Sequence, residues 1–259
     1  MPMQNIVISL KSAQDRRRHI KSEFQKHNVA FSFFDALTPD LAKARALDIK
    51  INNNEQVLSG GEFACMMSHV SIWQKMIDEN IPYLTIFEDD IYLGEDAEYL
   101  LNTFDWIEPE WNIIKIEAFS KKAFLSADTH EIIANKRYIS ELKRKNLGAA
   151  GYILSLHGAK VYLDYILNSN LLPVDELMFN TFISEKTEPV YQMTPALCIQ
   201  EMVLNKTKSG LLLPSSLEVN RRNRMKLEKK GGLMKVRKEA IRLVSQAKDA
   251  LFAKETPFK

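Results

Sequence analysis

The sequence predicts an α/β fold, and three observations carry that expectation. Short apolar runs alternate with amphipathic segments through residues 1–220, the pattern of a sheet covered by helices. The runs hold branched and aromatic side chains such as Ile86 and Phe87, which pack well on a pleated, covered surface. The chain has 259 residues, 46% hydrophobic and 26% charged, enough for one sizeable domain with a substantial core and free of internal repeats.

Taken in order, Asn5 to Leu10 reads as a first strand. Ser12 to His27 reads as a helix capped by Ser12. Phe31 to Asp35 is a short second strand, Thr38-Pro39-Asp40 opens a turn or helix, and Asn52 to Glu55 is a polar loop. Ser59-Gly60-Gly61-Glu62 precedes a long helix that runs to about Glu79, and Pro82 separates it from the apolar run Tyr83 to Leu93. A further strand is expected near Asn112 to Glu117. Ser120 to Lys145 reads as a polar, mobile region, and the small residues Gly148 to Gly151 turn the chain into a strand ending near Ser155.

Three consecutive acids, Glu88, Asp89 and Asp90, interrupt the run that begins at Tyr83. Massed negative charge beside a buried strand is unfavourable unless a cation or solvent compensates it, and hard divalent ions take oxygen ligands of this kind. Strand alternation sends Glu88 and Asp90 to one side and Asp89 to the other, so two of the three face a common ligand. The competing reading is a solvated turn.

The net charge of +2 conceals a division. Residues 221–259 carry 13 Lys and Arg against 4 Asp and Glu, leaving 22 basic and 29 acidic residues in 1–220. Two units are therefore expected: a body over 1–220 and a basic tail over 221–259. In the tail Leu233, Val236, Ala240, Leu243, Val244, Ala247 and Leu251 recur at helical spacing, flanked by Lys235, Arg237, Lys238, Arg242 and Lys248. Such a helix suits an anionic membrane surface or packs its stripe on the body; the acidic body argues against nucleic acid as a partner. The start lacks a basic region followed by a long apolar one, so a cleaved secretion signal is not expected. Cys65 and Cys198, far apart and without zinc spacing, read as buried thiols in a reducing compartment.

The chain resembles the bacterial lipooligosaccharide galactosyltransferases of glycosyltransferase family 25, above all the β-1,4-galactosyltransferases among them. The resemblance rests on blocks in order over about residues 5–205: Val7 to Leu10 with Arg16-Arg17, Phe33 to Leu37, Leu58 to Glu62, Ala64-Cys65 and Met67-Ser68-His69. It continues through Phe87-Glu88-Asp89-Asp90, Gly148 to Ser155, Pro173-Val174-Asp175 and Pro195 to Cys198. It implies a GT-A type fold, a UDP-sugar donor (UDP-galactose, with UDP-glucose as the alternative), a divalent ion (Mn²⁺, or Mg²⁺) and a saccharide acceptor. It also implies action at the cytoplasmic face of the bacterial inner membrane, where a lipid-linked lipooligosaccharide acceptor lies. A catalytically silent carbohydrate- or membrane-binding module on the same fold is the alternative from another class.

In that setting a divalent ion stabilises the charge that grows on the leaving diphosphate. Asp90 is the first candidate ligand and Glu88 the second, for metal or ribose, while Asp89 ranks lower. Ser9, Leu10, Arg16 and Arg17 form a candidate edge of the uridine and phosphate pocket, beyond the carboxyl end of the first strand. The arginines either meet phosphate or form a solvated helix face. Glu62 and His69 lie two turns apart on one helix and line a cleft, unless Glu62 is a helix-end charge and His69 a core histidine. Cys65 and Met67 are assigned to the core. Asp175, at an expected helix start, and Glu117, at a strand end, are the candidate bases, with Asp175 narrowly preferred, unless Asp175 only stabilises its helix start and Glu117 is only an exposed strand-end acid. Gln200 is a candidate for orienting donor or metal-bound water, with a purely structural hydrogen bond as the equal alternative.

Overall fold

The computed structural model describes residues 5–51, 58–169, 171–205 and 253–259. Among these the α/β expectation holds. The strands are β1 (Asn5–Ser9), β2 (Ser32–Asp35), β3 (Tyr83–Glu88), β4 (Ile91–Leu93), β5 (Ile113–Lys115), β6 (Lys122–Ala123), β7 (His130–Ile133), β8 (Arg137–Glu141), β9 (Gly151–Ser155), β10 (Tyr191–Thr194), β11 (Cys198–Gln200) and β12 (Lys254–Glu255). The helices are α1 (Gln14–Lys26), α2 (Pro39–Asp48), α3 (Gly60–Asp78), α4 (Ala97–Asn102), α5 (Leu156–Asn168), α6 (Val174–Glu176), α7 (Phe182–Glu185) and α8 (Glu201–Leu204), with a π-helical turn at Leu177–Thr181 between α6 and α7.

Eight strands form one mixed sheet in the order β2-β1-β3-β9-β5-β10-β8-β7. β1 is parallel to both β2 and β3, whereas β9 runs antiparallel to its neighbours β3 and β5. The carboxyl ends of β1, β3 and β5 therefore meet at one edge, where α/β folds collect ligands. The two-residue period of the strands divides the core. Ile6, Ile8, Ile86, Tyr152 and Leu154 pack on one face with α2, α3 and α5, while Val7, Phe87, Ile114 and Ile153 pack on the other with Ile20 and Phe24 of α1 and Leu100 and Leu101 of α4.

Several local expectations needed correction. The first helix starts at Gln14 with Ala13 at its cap position and no side-chain cap, so Ser12 does not cap it. Ser120 to Lys145 is not merely polar connection, since it contains β7 and β8, which complete the large sheet through β10. Those strands alternate weakly and sit at an edge, so their pattern falls below the threshold of sequence reading. Nor did the sequence announce β10 and β11. By contrast α3 starts where expected. Ser59 Oγ accepts the Glu62 backbone N–H at 3.3 Å, and Glu62 Oε2 accepts the Ser59 N–H at 3.0 Å, a reciprocal capping box.

The apolar tail stripe from Leu233 to Leu251 lies outside the described residues. The last seven residues, counted with the tail by charge, pair with the body. β12 is antiparallel to β6, the Ala196 N–H donates to Pro257, and Arg137 donates to the carbonyls of Pro195 and Lys259 at 2.8 and 2.6 Å. Gly94 lies so close to the Lys259 carbonyl that no side chain fits there. No helix among the described residues is long and apolar enough to cross a membrane.

Candidate active site

β3 ends at Glu88, and the chain turns through Asp89 and Asp90 into β4. This turn splits the three acids as strand alternation predicts. Asp89 faces β1 and α1: the Ser9 hydroxyl donates to its Oδ2 at 2.6 Å and Arg16 to its Oδ1 at 2.5 Å. Glu88 and Asp90 face the other way and share one donor. The Gln200 amide reaches Glu88 Oε2 at 3.1 Å and Asp90 Oδ1 at 3.2 Å. Gln200 arrives there because β11 pairs antiparallel with β4, setting Gln200 opposite Ile91, and Glu201 N–H then binds the Asp90 carbonyl at 2.9 Å.

Among the described residues the local balance of charge is negative. Arg16 is the cation that meets the turn there, 3.7 Å from Asp90 as well as bonded to Asp89. It does not offset the cluster. Enclosure by protein, then repulsion from Glu117, Asp89 and Asp175, push the Glu88 carboxyl up to about 8 against the pull of Arg16. Enclosure and then Glu88 push Asp90 up to about 7. Oxygen donors held together and short of positive charge fit a hard divalent cation.

The remaining expected residues fall into two groups. His69 belongs to the site: its Nε2 lies 3.9 Å from Glu88 Oε1 and its Nδ1 lies 2.7 Å from the Tyr152 hydroxyl. Burial lowers His69 to about 3, although Asp175 opposes that shift, so the ring is neutral. Asp175 is buried in α6, and its charge is felt at Cys65, His69 and Glu88. Glu62 sits one turn before Cys65, held in the capping box. At the rim, Arg17 donates to the Ser9 carbonyl at 2.8 Å and to Asp35 at 2.6 Å, and lies over the Phe33 ring, bracing the exposed Leu10 loop. Glu117 is different. It is fully buried, paired with Lys115 Nζ at 3.1 Å, and accepts the Ala150 N–H at 3.0 Å. Gly148 permits this closure: its φ is +92°, and a Cβ there would lie 2.6 Å from the Glu117 carboxylate.

Tyr152 and Lys115 were not among the expected residues. Cys65 packs against the core as expected, half-buried, and its sulfur also lies with a nitrogen of His69 and an oxygen of Glu88 within 4.8 Å of one another. Its position four residues before His69 was the available signal. Tyr152 gave none, because packing of α3 on the sheet brings His69 and Trp73 to it, while Lys115, two residues before Glu117 in the same segment, was within reach of a sequence reading.

The profile of glycosyltransferase family 25 (LPS biosynthesis protein) matches residues 3–178. The chain belongs to glycosyltransferase family 25. Lipooligosaccharide biosynthesis protein lex-1 of Haemophilus influenzae is 34% identical, over 95% of this chain and 93% of its own. The lacto-N-neotetraose biosynthesis glycosyltransferase LgtE of Neisseria gonorrhoeae is 37% identical over 85% and 82% of the two chains. LgtB of Neisseria meningitidis, of the same description, is 38% identical over 77% and 76%. As a family 25 glycosyltransferase this chain is an enzyme of the lipooligosaccharide biosynthesis group. Its mixed sheet with an acidic turn at the carboxyl end of a central strand is the GT-A-like arrangement the resemblance implied.

Proposed function

We propose that this enzyme transfers galactose from UDP-galactose to a saccharide acceptor of lipooligosaccharide, with inversion to a β-1,4 linkage and with Mn²⁺ or Mg²⁺ required. The observation that carries the reading is the Glu88–Gln200–Asp90 arrangement at the shared carboxyl edge of β1 and β3. Asp90 and Glu88 hold the ion, which when bound supplies charge to the leaving diphosphate. Gln200 keeps the two carboxylates in register. Ser9 and Arg16 restrain Asp89, and with it the turn, while Arg17 orders the Ser9–Leu10 edge against which uridine rests.

Asp175 is the base. The acceptor oxygen attacks C1 of galactose, the bond from C1 to the diphosphate oxygen breaks, and the acceptor proton passes to Asp175. The preference over Glu117 rests on commitment: Glu117 is fully enclosed and bonded to Lys115 and Ala150, whereas Asp175 lies within electrostatic reach of His69.

The basic segment of the tail docks the enzyme on the anionic inner face of the cytoplasmic membrane. Because residues 253–259 pair with the body, charge replacement tests this better than truncation. Lys235, Arg237, Lys238 and Arg242 changed to Ala are expected to weaken binding to anionic vesicles while sparing turnover on a short soluble saccharide; unchanged vesicle binding refutes the docking.

The deciding assay for the activity is a panel of UDP-sugars with Mn²⁺ or chelator, followed by linkage analysis of the product. UDP-galactose turnover that vanishes in chelator is expected. Preference for UDP-glucose, or full activity in chelator, overturns the sugar or the metal assignment respectively.

A further inference from the structure

A buried chain of hydrogen bonds runs from the helical face of the core to the acid turn. Trp73 Nε1 donates to the Tyr152 hydroxyl at 3.0 Å, and that hydroxyl lies 2.7 Å from His69 Nδ1. All three side chains are fully buried, so the hydroxyl proton needs an acceptor within the protein. Trp73 offers only a donor; His69 Nδ1 is the acceptor among the described residues. The Tyr152 hydroxyl therefore donates to Nδ1, and the ring carries its proton on Nε2. Nε2 is buried without a hydrogen-bond partner among the described residues and faces Glu88 Oε1 at 3.9 Å. The other oxygen of Glu88, Oε2, accepts from Gln200.

We propose that His69 is the positioning residue for Glu88. Its Nε2–H takes Oε1 as acceptor, so that Trp73, Tyr152 and His69 fix the plane of the carboxylate and leave Oε2 turned toward Asp90 and the ion. A closure of about 1 Å brings the pair to hydrogen-bond distance. The same tautomer decides between two groupings of metal-binding atoms. A protonated Nε2 has no lone pair to give, so Cys65, His69 and Glu88 do not form a metal cage despite their proximity, and the ion belongs with Glu88 and Asp90. This inference rests on the metal-dependent reading above, and its test separates the two.

Mn²⁺ binding to the full chain, followed by electron paramagnetic resonance without substrate, provides a readout apart from activity. Outer partners of metal ligands typically contribute about 10- to 100-fold in affinity, so His69→Leu is expected to weaken Mn²⁺ binding by that order. His69→Gln, which keeps an N–H at similar reach, is expected to stay within a few fold of the wild type, with Tyr152→Phe between the two. In turnover the Mn²⁺ concentration for half-maximal rate rises, while kcat at saturating ion is largely kept. A folded His69→Leu protein with unchanged Mn²⁺ affinity overturns the proposal, as does His69→Gln failing as badly as His69→Leu. Should His69→Leu not fold, an unchanged affinity in Tyr152→Phe overturns it. Wild-type protein that binds no Mn²⁺ overturns the metal reading itself, and this inference with it.

Discussion

β3 and β5 flank β9 on opposite sides, and each is an apolar strand followed by acid at the same edge of the sheet. After β5, Glu117 is 0% exposed and has a resident cation: Lys115 Nζ pairs with its Oε2, donates to the Gly148 carbonyl, and sits over the Phe179 ring, while Oε1 lies buried without a hydrogen-bond partner among the described residues. After β3, Glu88 is 28% exposed at its side chain and shares a neutral amide with Asp90, under strain from like charge. One strand end is closed electrostatically and the other is left open. Compensation by a resident lysine makes a structural element, whereas a deficit at a partly exposed strand end makes a place for a ligand.

Four measurements can break or sharpen this contrast. The largest effect is expected at the open end. Asp90→Asn keeps the size and removes the charge, so kcat with Mn²⁺ falls by about 10³-fold, while circular dichroism stays native. Near-normal turnover would place the ion elsewhere. Next, Asp175→Asn is expected to lower kcat by about 10²-fold or more with UDP binding kept, as for loss of a positioned base. If Glu117→Gln alone shows that split in a stable protein, the closed end is catalytic and the comparison collapses.

At the closed end the cost is in stability. Lys115→Met leaves Glu117 buried without its cation, which costs about 3–5 kcal/mol in denaturant unfolding. Turnover per folded molecule should change far less. A stable Lys115→Met protein would mean that Glu117 finds other compensation.

The last measurement concerns pH. In ion-free protein the fold holds Glu88 at about 8 and Asp90 at about 7, above the ordinary 4.5 and 3.8 of free carboxyls. Between those limits the native state binds more protons than the unfolded chain, so stability falls as pH rises through the window. His69 acts on the other side: lowered to about 3, it makes stability fall as pH drops below about 6.5. Melting temperature in chelator should therefore decline toward about pH 8. The decline should lessen in Glu88→Gln and be reversed by Mn²⁺. A decline that is identical in Glu88→Gln would assign it to other groups.

Much of the geometry of this acid cluster was legible in the sequence. The acids at 88–90, the parity that sets Glu88 with Asp90, the glycine-led start of α3 and the presence of a His two turns on were all readable, because each depends on spacing within one element. Asp89's tie to Ser9 and Arg16 was not, nor was the shared amide of Gln200, 110 residues beyond Asp90.

By itself the sequence determined the α/β class, the order of strands and helices through β3, the family, and the concentration of carboxylates at one strand end. Local propensity and periodicity act over a few residues, and those are the distances over which a sequence is legible. The tertiary structure alone decided how deeply each acid is buried and which distant groups meet it. Lys115 stands two residues before Glu117 in the same segment, within reach of a sequence reading, whereas the full burial of that pair and the amide that β11 brings to Glu88 came only with the fold. A charge's role depends on the dielectric and the partners around it, and those are set by sheet register across long stretches of chain.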